Sequence, residues 1–364
     1  MRILHTEASK GWGGQEIRIL TEAAGMQRRG HEVELACPPD ARIHAEAARF
    51  GVQAHAMAIG RKNPQGWLTM RRFLRANAFD VVNTHSSTDT WLAALSSQGW
   101  KAPPIVRTRH ISAPVPDNRA TRWLYRRAST HVVTTGEALR EQLIRRNGLD
   151  PARVTSVPTG IDPNRFPPTD DGLRETQRRH LGLPIEVPMI GIVATLRSWK
   201  GHRYLIEAFS SLRGSAAHLV IVGDGPQRTA LEQQSTTLAL GSHVTFAGNR
   251  DDVAPWLQCL DVFALPSYAN EGVPQALLQA MFTGLPAVTT NAGAIPEIAV
   301  HEQTAIVVPK EDPRALASAL ATLLADRTLR ERLGHSARAH VVARHGIDTM
   351  LDRMETVFSN ATRS

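Results

Sequence analysis

The chain has 364 residues, 42% of them hydrophobic and 21% charged, which is enough length and apolar content for two globular domains. Its two cysteines, Cys37 and Cys259, are far apart and exclude a disulfide framework or a cysteine metal motif, which favours a reducing compartment. The first residues do not form a signal-peptide pattern and no apolar run approaches the ~18 residues of a membrane span, so we expect a cytoplasmic protein.

Positive charge is concentrated in the first half of the chain. Residues 1–165 carry 24 Lys and Arg against 14 Asp and Glu, whereas residues 166–364 carry 18 against 20. A basic half predicts an anionic partner, such as a phosphorylated glycolipid or a membrane surface. We expect no nucleic-acid partner, because aromatic residues make up only 5% of the chain and no zinc-finger or RNP motif is present.

The first half alternates strand-like and helix-like patterns. Residues 16–29 predict a helix that stops at Gly30, and strands are predicted by the runs MRILHT, HEVELAC, FDVVNTH, PIVRTRH and HVVTTG. Such alternation indicates a parallel sheet covered on both faces. Ligands of these sheets bind at the carboxyl ends of the strands.

A segment rich in Pro, Gly and Asp, residues 157–172, predicts a linker. The alternation then restarts with the strand patterns MIGIVATL, HLVIVGDG, VTFAG, DVFALPS, AVTT and AIVV, and with helices near 202–212, 227–238, 312–344 and 347–360. We therefore predict an α/β protein of two doubly wound, Rossmann-like domains, 1–165 and 166–345, that face a cleft. A last helix within 346–364 is expected to pack back toward the first domain.

Residues 266–297 place a loop carboxylate before a helix. Glu271 and Gly272 follow a loop signal that includes Asn270, and the run ALLQAMF then predicts a short helix that ends near Gly284. Helix N-termini bind phosphate through unpaired N–H groups and the positive end of the helix dipole. Gln279 is eight residues after Glu271, which predicts that both lie on a similar helix face and grip one extended polar ligand. An ordinary buried amphipathic helix is the alternative.

The order of several motifs carries a resemblance to a known family. GGQE, RRGHEV, DVVNTHS, TGIDPNRF, RSWKGH, VGDGPQR, FAGNRDDV and the stretch ending in GAIPE follow one another as in family 4 of the retaining, nucleotide-sugar-dependent glycosyltransferases. The chain resembles this family over nearly its whole length, and within it the bacterial enzymes that build lipopolysaccharide or other surface glycans. The resemblance implies the GT-B fold, a UDP-, GDP- or ADP-linked sugar donor, and an anionic glycolipid or glycan acceptor at the cytoplasmic face of the inner membrane.

The resemblance also assigns roles in donor binding. Glu271 is expected to hydrogen-bond hydroxyls of the transferred sugar, and Gln279 stands where the family usually has a second glutamate that binds the ribose. An amide donates and accepts hydrogen bonds but lacks the charge-assisted strength of a carboxylate. Backbone N–H groups and strand ends are expected to complete the donor pocket at Gly272, Val273, Arg250 and Gly223.

The leaving diphosphate needs positive charge. Lys200 follows the strand MIGIVATL, so its ammonium is expected near the carboxyl end of that strand, where a diphosphate would lie. The family usually has an arginine five residues earlier; that residue is Thr195 here, and Arg197 is the candidate for the missing charge. Gly13 and Gly14 open a helix directly after the first strand, where a backbone without Cβ atoms can approach a phosphate or sugar. A surface pair of basic residues and a plain turn are the respective alternatives.

Two strand-end histidines are further candidates. His110 ends PIVRTRH, and the resemblance places it against the donor sugar. His85 ends DVVNTH. For each of them, a structural histidine with satisfied hydrogen bonds is the alternative.

Residues 118–128, NRATRWLYRRA, form a basic segment. Their spacing predicts Arg119, Arg122 and Arg126 on one helical face with Trp123 close by. This pattern suits an anionic membrane surface or a phosphorylated acceptor, and a solvated helix face is the alternative.

We predict that catalysis needs no metal and no other cofactor. The acidic pairs Asp170-Asp171 and Asp251-Asp252 are typical of solvated loops or helix caps rather than of a metal site. No second carboxylate is available as a nucleophile, which favours front-face attack with retention, the leaving phosphate accepting the proton of the acceptor. Two other functions fit the same fold: a nucleotide-sugar epimerase or hydrolase, and a non-catalytic glycan-binding protein, the latter favoured by Thr195 and Gln279.

Overall fold

The structure is a computed structural model that describes residues 1–111, 113–212, 216–269 and 271–363. The chain divides into two compact units. The first unit is Met1–Gly160 together with Ile347–Ser364, and the second is Ile161–Gly346. The predicted boundaries were 165/166 and 345/346.

The first unit is built on parallel strands: β1 (Arg2–Thr6), β2 (Glu32–Cys37), β3 (Gln53–Ala56), β4 (Val81–Thr84), β5 (Ile105–Arg109), β6 (His131–Thr134) and β7 (Val154–Ser156). They form one sheet in the order β3-β2-β1-β4-β5-β6-β7. The carboxyl ends of β1, β4 and β5 are therefore neighbours on one edge of this sheet. The apolar runs predicted five of the strands but not β3 and β7, which are short edge strands with few apolar residues.

Helices cover this sheet: α1 (Gly14–Arg28), α2 (Arg42–Ala47), α3 (Pro64–Ala76), α4 (Ser87–Ser96), α5 (Arg119–Trp123) and α6 (Glu137–Asn147). Helix α4 starts at a capping box in which the Asp89 carboxylate accepts the backbone N–H of Ser86 at 2.9 Å. Helix α5 runs into a π-helical turn, Leu124–Ala128. The basic segment is therefore helical from Arg119 to Ala128, with a π turn in its second half, and Arg119, Arg122 and Arg126 are all exposed.

The second unit repeats the architecture with β8 (Met189–Val193), β9 (His218–Val222), β10 (Val244–Gly248), β11 (Val262–Leu265), β12 (Ala287–Thr290) and β13 (Ile306–Val308). These strands are parallel, in the order β10-β9-β8-β11-β12-β13, and each had been predicted from its apolar run. The predicted α/β class with two doubly wound parallel sheets is confirmed.

The helices of the second unit are α7 (Asp171–Leu181), α8 (His202–Ser210), α9 (Arg228–Thr237), α10 (Ala254–Gln258), α11 (Gln275–Phe282), α12 (Pro313–Ala325) and α13 (Arg327–Val342). Helix α7 begins inside the predicted linker because the Asp170 side chain caps it, accepting the N–H of Leu173 at 2.7 Å. Asp326 likewise caps α13 through the N–H of Leu329 at 2.8 Å. That cap divides the helix predicted over 312–344 into two.

The last helix, α14 (Ile347–Arg363), belongs to the first unit. It buries an apolar stripe in the core beside β1, β2 and α1, and this stripe consists of Met350, Leu351, Met354, Val357 and Phe358. On its outer side, Asp352 and Glu355 form ion pairs with Arg29 at 2.7 and 3.2 Å. Helix α14 is thus part of the core of the first unit, although it follows the second unit in the sequence.

Candidate active site

A buried ion pair lies at the carboxyl ends of two neighbouring strands in the second unit. Lys200 follows β8, Glu271 follows β11, and Lys200 Nζ is 2.6 Å from Glu271 Oε1. Their side chains are only 19% and 5% exposed. The Ser267 hydroxyl donates a second hydrogen bond to Glu271 Oε1 at 2.7 Å. Two residues that the sequence assigned to different parts of a ligand are therefore in direct contact, and Ser267, which had no assigned role, completes the group.

The loops that carry this pair are joined to each other. The backbone N–H of Tyr268 donates to the carbonyl oxygen of Trp199 at 2.9 Å. Gly201 has φ of +78°, and a Cβ at this residue would overlap the carbonyl oxygen of Pro266. Only glycine fits both the left-handed conformation and the close approach, so Gly201 allows the Lys200 loop to lie against the Glu271 loop.

A third strand end supports Glu271 from behind. Gly293, after β12, has φ of +54°, and a Cβ there would overlap the carbonyl oxygen of Glu271. The next N–H, that of Ala294, donates to the same carbonyl at 3.2 Å. The Thr290 hydroxyl donates to the carbonyl of Ser267. The ends of β8, β11 and β12, which are adjacent in the sheet, together fix the geometry of the ion pair.

Helix α11 agrees with the short helix predicted from the run ALLQAMF. Glu271 lies in the loop, and the helix starts at Gln275. The expectation that Glu271 and Gln279 share a helix face is therefore wrong, since Glu271 is outside the helix. Gln279 is buried within α11, and within the described residues its side chain makes no hydrogen bond. Gly272 and Val273 are buried beside Glu271 in the loop, whereas Asn270 lies outside the described residues.

The other predicted site residues of this unit follow the carboxyl ends of three strands: Arg197 follows β8, Gly223 follows β9 and Arg250 follows β10. Gly223 has φ of +138°, and a Cβ there would overlap the carbonyl oxygen of Ala194, so packing between the two loops accounts for this glycine. Arg197 is exposed, with its guanidinium 5.8 Å from the ring centre of Trp199. Arg250 is also exposed and lies 5.0 Å from the ring centre of Trp256. Both arginines are stacked on aromatic rings and remain accessible to an anion.

His202 is a buried histidine directly after Gly201 that the sequence assigned no role. It is 2% exposed, and neither ring nitrogen has a hydrogen-bond partner within the described residues. Burial, and secondarily the charge of Lys200, lowers its pKa to about 3. His202 is therefore a neutral side chain beneath the start of α8 at physiological pH.

In the first unit, three histidines form a hydrogen-bonded chain at the ends of β1, β4 and β5. His5 Nδ1 lies 2.8 Å from His85 Nε2, and His85 Nδ1 lies 3.0 Å from His110 Nε2. His5 and His85 are buried, whereas His110 is half-buried. The two predicted candidates, His85 and His110, are thus brought together. His5 was missed because it lies inside an apolar strand pattern.

All three imidazoles are neutral at physiological pH. Burial, and secondarily the charge of Arg18, lowers the pKa of His5 to about 3. Burial also lowers the pKa of His85 and His110 well below the usual value, helped by the neighbouring rings and by Arg18 and Arg107. Each ring therefore has one N–H donor and one acceptor nitrogen.

The predicted glycine turn lies next to a buried carboxyl group. Gly13 is the N-cap of α1 in an extended conformation and Gly14 is its first residue. In the loop before them, Glu7 accepts the N–H of Ser9 at 2.7 Å and the side-chain amide of Gln15. Burial, and then the charge of Asp89, raises the pKa of Glu7 to about 8. Near neutral pH, the side chain that holds this loop is therefore a protonated carboxyl group.

The basic segment is partly engaged within the chain. Arg122 pairs with the Asp117 carboxylate at 2.7 Å, and Arg126 donates to the carbonyl of Asn147 at 2.5 Å. The Trp123 ring stacks on Trp91 with a centre-to-centre distance of 5.7 Å. Arg119 is exposed.

A polar cavity of about 540 Å³ in the second unit is separate from these residues. It lies at the amino ends of β11 and β12, beside Asp261 and Pro286, whereas the ion pair lies at the carboxyl ends. Its arginines are already committed: Arg178 pairs with Asp261 at 2.6 Å, and Arg330 donates to the carbonyl of Leu323 at 2.6 Å. The cavity adds no residue to the candidate site.

No helix in the described part of the chain is long and apolar enough to cross a membrane. No cluster of three or more His, Cys, Asp or Glu side chains in the same residues is arranged to hold a metal ion.

Both halves of the chain match family models of known proteins. Residues 12–165 match the model for Glycosyltransferase Family 4, and residues 187–326 match the model for Glycosyl transferases group 1. Among relatives, D-inositol 3-phosphate glycosyltransferase of Xylanimonas cellulosilytica is 29% identical over 96% of this chain and 92% of its own. A GDP-mannose-dependent alpha-(1-6)-phosphatidylinositol monomannoside mannosyltransferase of Mycobacterium tuberculosis is 31% identical over 56% of this chain and 55% of its own.

Solved structures share the fold across the whole chain. The Anabaena protein HepE in complex with UDP and glucose has a TM-score of 0.88 with 21% identity, covering 99% of each chain. WaaG, a glycosyltransferase involved in lipopolysaccharide biosynthesis, has a TM-score of 0.74 with 19% identity, covering 98% of this chain and 99% of its own. The predicted GT-B fold is confirmed by these similarities.

Proposed function

Because the chain belongs to the family 4 glycosyltransferases, an identity that both of its halves support, we propose that it transfers a sugar from a nucleotide diphosphate sugar to a hydroxyl group. The observation that carries the proposal is the buried Lys200–Glu271 pair at the ends of β8 and β11. The carboxyl ends of strands are where doubly wound sheets bind nucleotides. HepE, of the same fold, is described with UDP and with UDP-glucose.

The ion pair provides complementary groups for the two parts of a donor. Lys200 has three N–H donors and uses one on Glu271, so two remain for oxygens of the leaving diphosphate. Glu271 uses Oε1 for Lys200 and Ser267, which leaves Oε2 for hydroxyls of the transferred sugar. The site is mostly buried, so these charges act in a medium of low dielectric constant and are already oriented before the reaction.

We propose that no metal takes part. Lys200, together with the accessible guanidinium of Arg197, would balance the charge that develops on the diphosphate. The N–H groups of Gly272 and Val273 would bind further oxygens of the donor. His110 would contact the sugar, and Gln279 and Arg250 would bind the nucleoside. Activity in the presence of EDTA tests this part of the proposal.

The proposed reaction retains the configuration at the anomeric carbon. The bond from this carbon to the diphosphate oxygen breaks, and the bond to the acceptor oxygen forms on the same face. The proton of the acceptor hydroxyl passes to the leaving diphosphate. In this proposal Oε2 of Glu271 binds hydroxyls of the sugar, while Oε1 is held by Lys200 and Ser267, so no covalent role is assigned to Glu271. The anomeric configuration of the product, read by NMR, tests retention.

The acceptor is proposed to be anionic. Residues 1–165 have 24 Lys and Arg against 14 Asp and Glu, and the names of two relatives include inositol 3-phosphate and phosphatidylinositol. A phosphorylated polyol or glycolipid, including one of the lipopolysaccharide type, fits this charge. Arg119 and the arginines near it would contact the acceptor or the anionic surface of the inner membrane. Sedimentation with anionic vesicles, compared with neutral ones, tests the membrane part of this proposal.

The decisive experiment begins with the donor. UDP-, GDP- and ADP-sugars are screened for an increase in melting temperature, since a ligand at 100 times its Kd stabilises the folded state by about 2.7 kcal/mol. The donor that stabilises is then incubated with and without phosphorylated acceptors. We expect release of nucleoside diphosphate that depends on the acceptor. An isomerised nucleotide sugar formed without acceptor would support the epimerase instead, and acceptor-independent release would support the hydrolase.

A further inference from the structure

The histidine chain of the first unit has two different ends. At one end, His5 is fully buried and its Nε2 has no hydrogen-bond partner within the described residues. At the other end, His110 is half-buried. The middle ring, His85, contacts both neighbours through its two nitrogens. Because each neutral imidazole has a single N–H, the chain can point in only one of two directions.

The burial of His5 selects the direction. If the protons pointed toward His5, its Nε2 would carry an N–H group in the core with no acceptor. Orphaned buried N–H groups are rarer than under-satisfied acceptors in proteins. In the opposite direction, His5 Nδ1–H donates to His85 Nε2 and His85 Nδ1–H donates to His110 Nε2. Only a lone pair is then left unpaired in the core, and the proton of His110 is on Nδ1.

The surroundings hold the rings in this arrangement. The backbone N–H of His85 donates to the Asp89 carboxylate at 2.9 Å, and the Thr135 hydroxyl donates to the carbonyl of His110 at 3.1 Å. The positive charges of Arg18 and Arg107 disfavour an imidazolium anywhere in the chain. Arg18 is itself paired with Glu22 at 3.6 Å in the core. The backbone contacts fix His85 and His110 in place, and burial, helped by the two cations, lowers the pKa of the rings and favours their neutral forms.

We infer that His5 is a positioning residue, which acts through His85 to fix the proton of His110 on Nδ1 and so makes His110 a hydrogen-bond donor at the half-buried end of the chain. An N–H in this position suits an oxygen of the bound donor. The inference rests on the proposed function only in that last step. The proton arrangement itself is a property of the free protein.

The test uses the full-length protein labelled with ¹⁵N-histidine and correlation spectra of the ring nitrogens with the ring protons. The signals of His110 are identified by their loss in His110→Asn. We expect Nδ1 of His110 to be protonated and Nε2 to be unprotonated in the wild-type protein without ligand. In His5→Phe we expect His110 to become a mixture of tautomers. His5→Asn, whose amide can replace the Nδ1–H, should restore the wild-type pattern.

The control is His131→Phe, which removes another histidine from the same sheet. His131 lies at the amino end of β6 and its Nε2 contacts the Thr155 hydroxyl at 2.9 Å, so it is outside the chain of three rings. The control should leave the His110 signals unchanged. With an active donor, His5→Phe should lower kcat/KM about fivefold to tenfold, the effect of one net hydrogen bond, and His5→Asn should recover most of it.

The outcomes separate the two proposals. A wild-type spectrum with the His110 proton on Nε2, or a His110 signal that is the same in His5→Phe, overturns the inference even if no variant is assayed for activity. The expected spectra, combined with no turnover of any nucleotide sugar, would leave the positioning role of His5 intact and refute the proposed function. If His5→Phe does not fold, the wild-type spectrum still tests the inference, because a His110 proton on Nε2 overturns it.

Discussion

A double-mutant cycle on Lys200 and Glu271 measures how strongly the candidate site is coupled. Lys200→Met keeps the methylene packing but leaves Glu271, whose side chain is 5% exposed, as a buried carboxylate without a counter-charge. Breaking a buried pair in this way costs about 3–5 kcal/mol of unfolding free energy. Glu271→Gln keeps the shape and an acceptor oxygen, and its cost is smaller, about 1–3 kcal/mol, because Lys200 retains 19% exposure.

The double variant contains neither charge, so it should be more stable than the sum of the single effects implies. We expect a coupling energy of about 2–3 kcal/mol, near the upper end for contacting residues. The assay is guanidinium unfolding of all four proteins, with m-values compared to verify that the same surface is exposed. The control is the cycle for Arg145 and Glu141, a pair at 3.2 Å on an exposed helix face, whose coupling should be close to zero. Additivity within about 0.5 kcal/mol for Lys200 and Glu271 would refute the buried ion pair.

Three further substitutions test the roles of Glu7, Gly293 and Gln279. Burial raises the pKa of Glu7 from 4.5 to about 8. The folded state therefore holds the Glu7 proton more tightly than the unfolded state does. The stability that this proton contributes is fully present below pH 4.5 and is lost as the pH rises through 8. Glu7→Gln stays neutral. Between pH 5 and pH 8 its unfolding free energy, measured by chemical unfolding, should therefore rise by roughly 4 kcal/mol relative to that of the wild type. For the control Glu32→Gln, at an exposed residue, this relative change should be small. Gly293→Ala should lower the unfolding free energy by more than about 2 kcal/mol and weaken donor binding, because the new Cβ would overlap the backbone of Glu271. The control is Gly284→Ala, at φ of +78° with no atom near the new Cβ. It should cost only the left-handed backbone strain, about 1 kcal/mol in the same assay. Gln279→Glu should tighten donor binding severalfold in calorimetry through a charge-assisted hydrogen bond to the ribose, and an unchanged Kd would show that the ribose assignment is wrong.

The sequence predicted those features of the fold that depend on a local pattern of residues. The strands of the second unit follow from apolar runs such as MIGIVATL, and the positions of Lys200 and Glu271 at strand ends follow from the residues next to those runs. Their contact did not follow, because it depends on β8 lying beside β11, a pairing of strands that are distant in the chain. Parallel sheets are defined by such non-local pairs.

Contacts between residues that are distant in the chain could not be predicted from local patterns, for the same reason. His5 looks like an ordinary strand residue until β1, β4 and β5 are placed side by side, and then its ring meets that of His85. In the basic segment, the π turn after Trp123 and the contacts of Asp117 and Asn147 with two of its arginines did not follow from the sequence pattern. The run ALLQAMF located α11, but the eight-residue spacing of Glu271 and Gln279 did not indicate a shared helix face, because Glu271 lies in the loop before the helix.

We propose that Lys200 and Glu271 bind and activate a nucleotide sugar without a metal. The most direct measurement is the release of nucleoside diphosphate, followed by ³¹P NMR in excess EDTA, by the wild-type protein and by Lys200→Met with the same donor and acceptor. We predict that the wild type releases diphosphate and that Lys200→Met is slower by a factor of about 10²–10³, the effect of removing one preorganised donor to a developing charge. Equal rates for the two proteins, or release by the wild type only after a divalent metal is added, would contradict the claim.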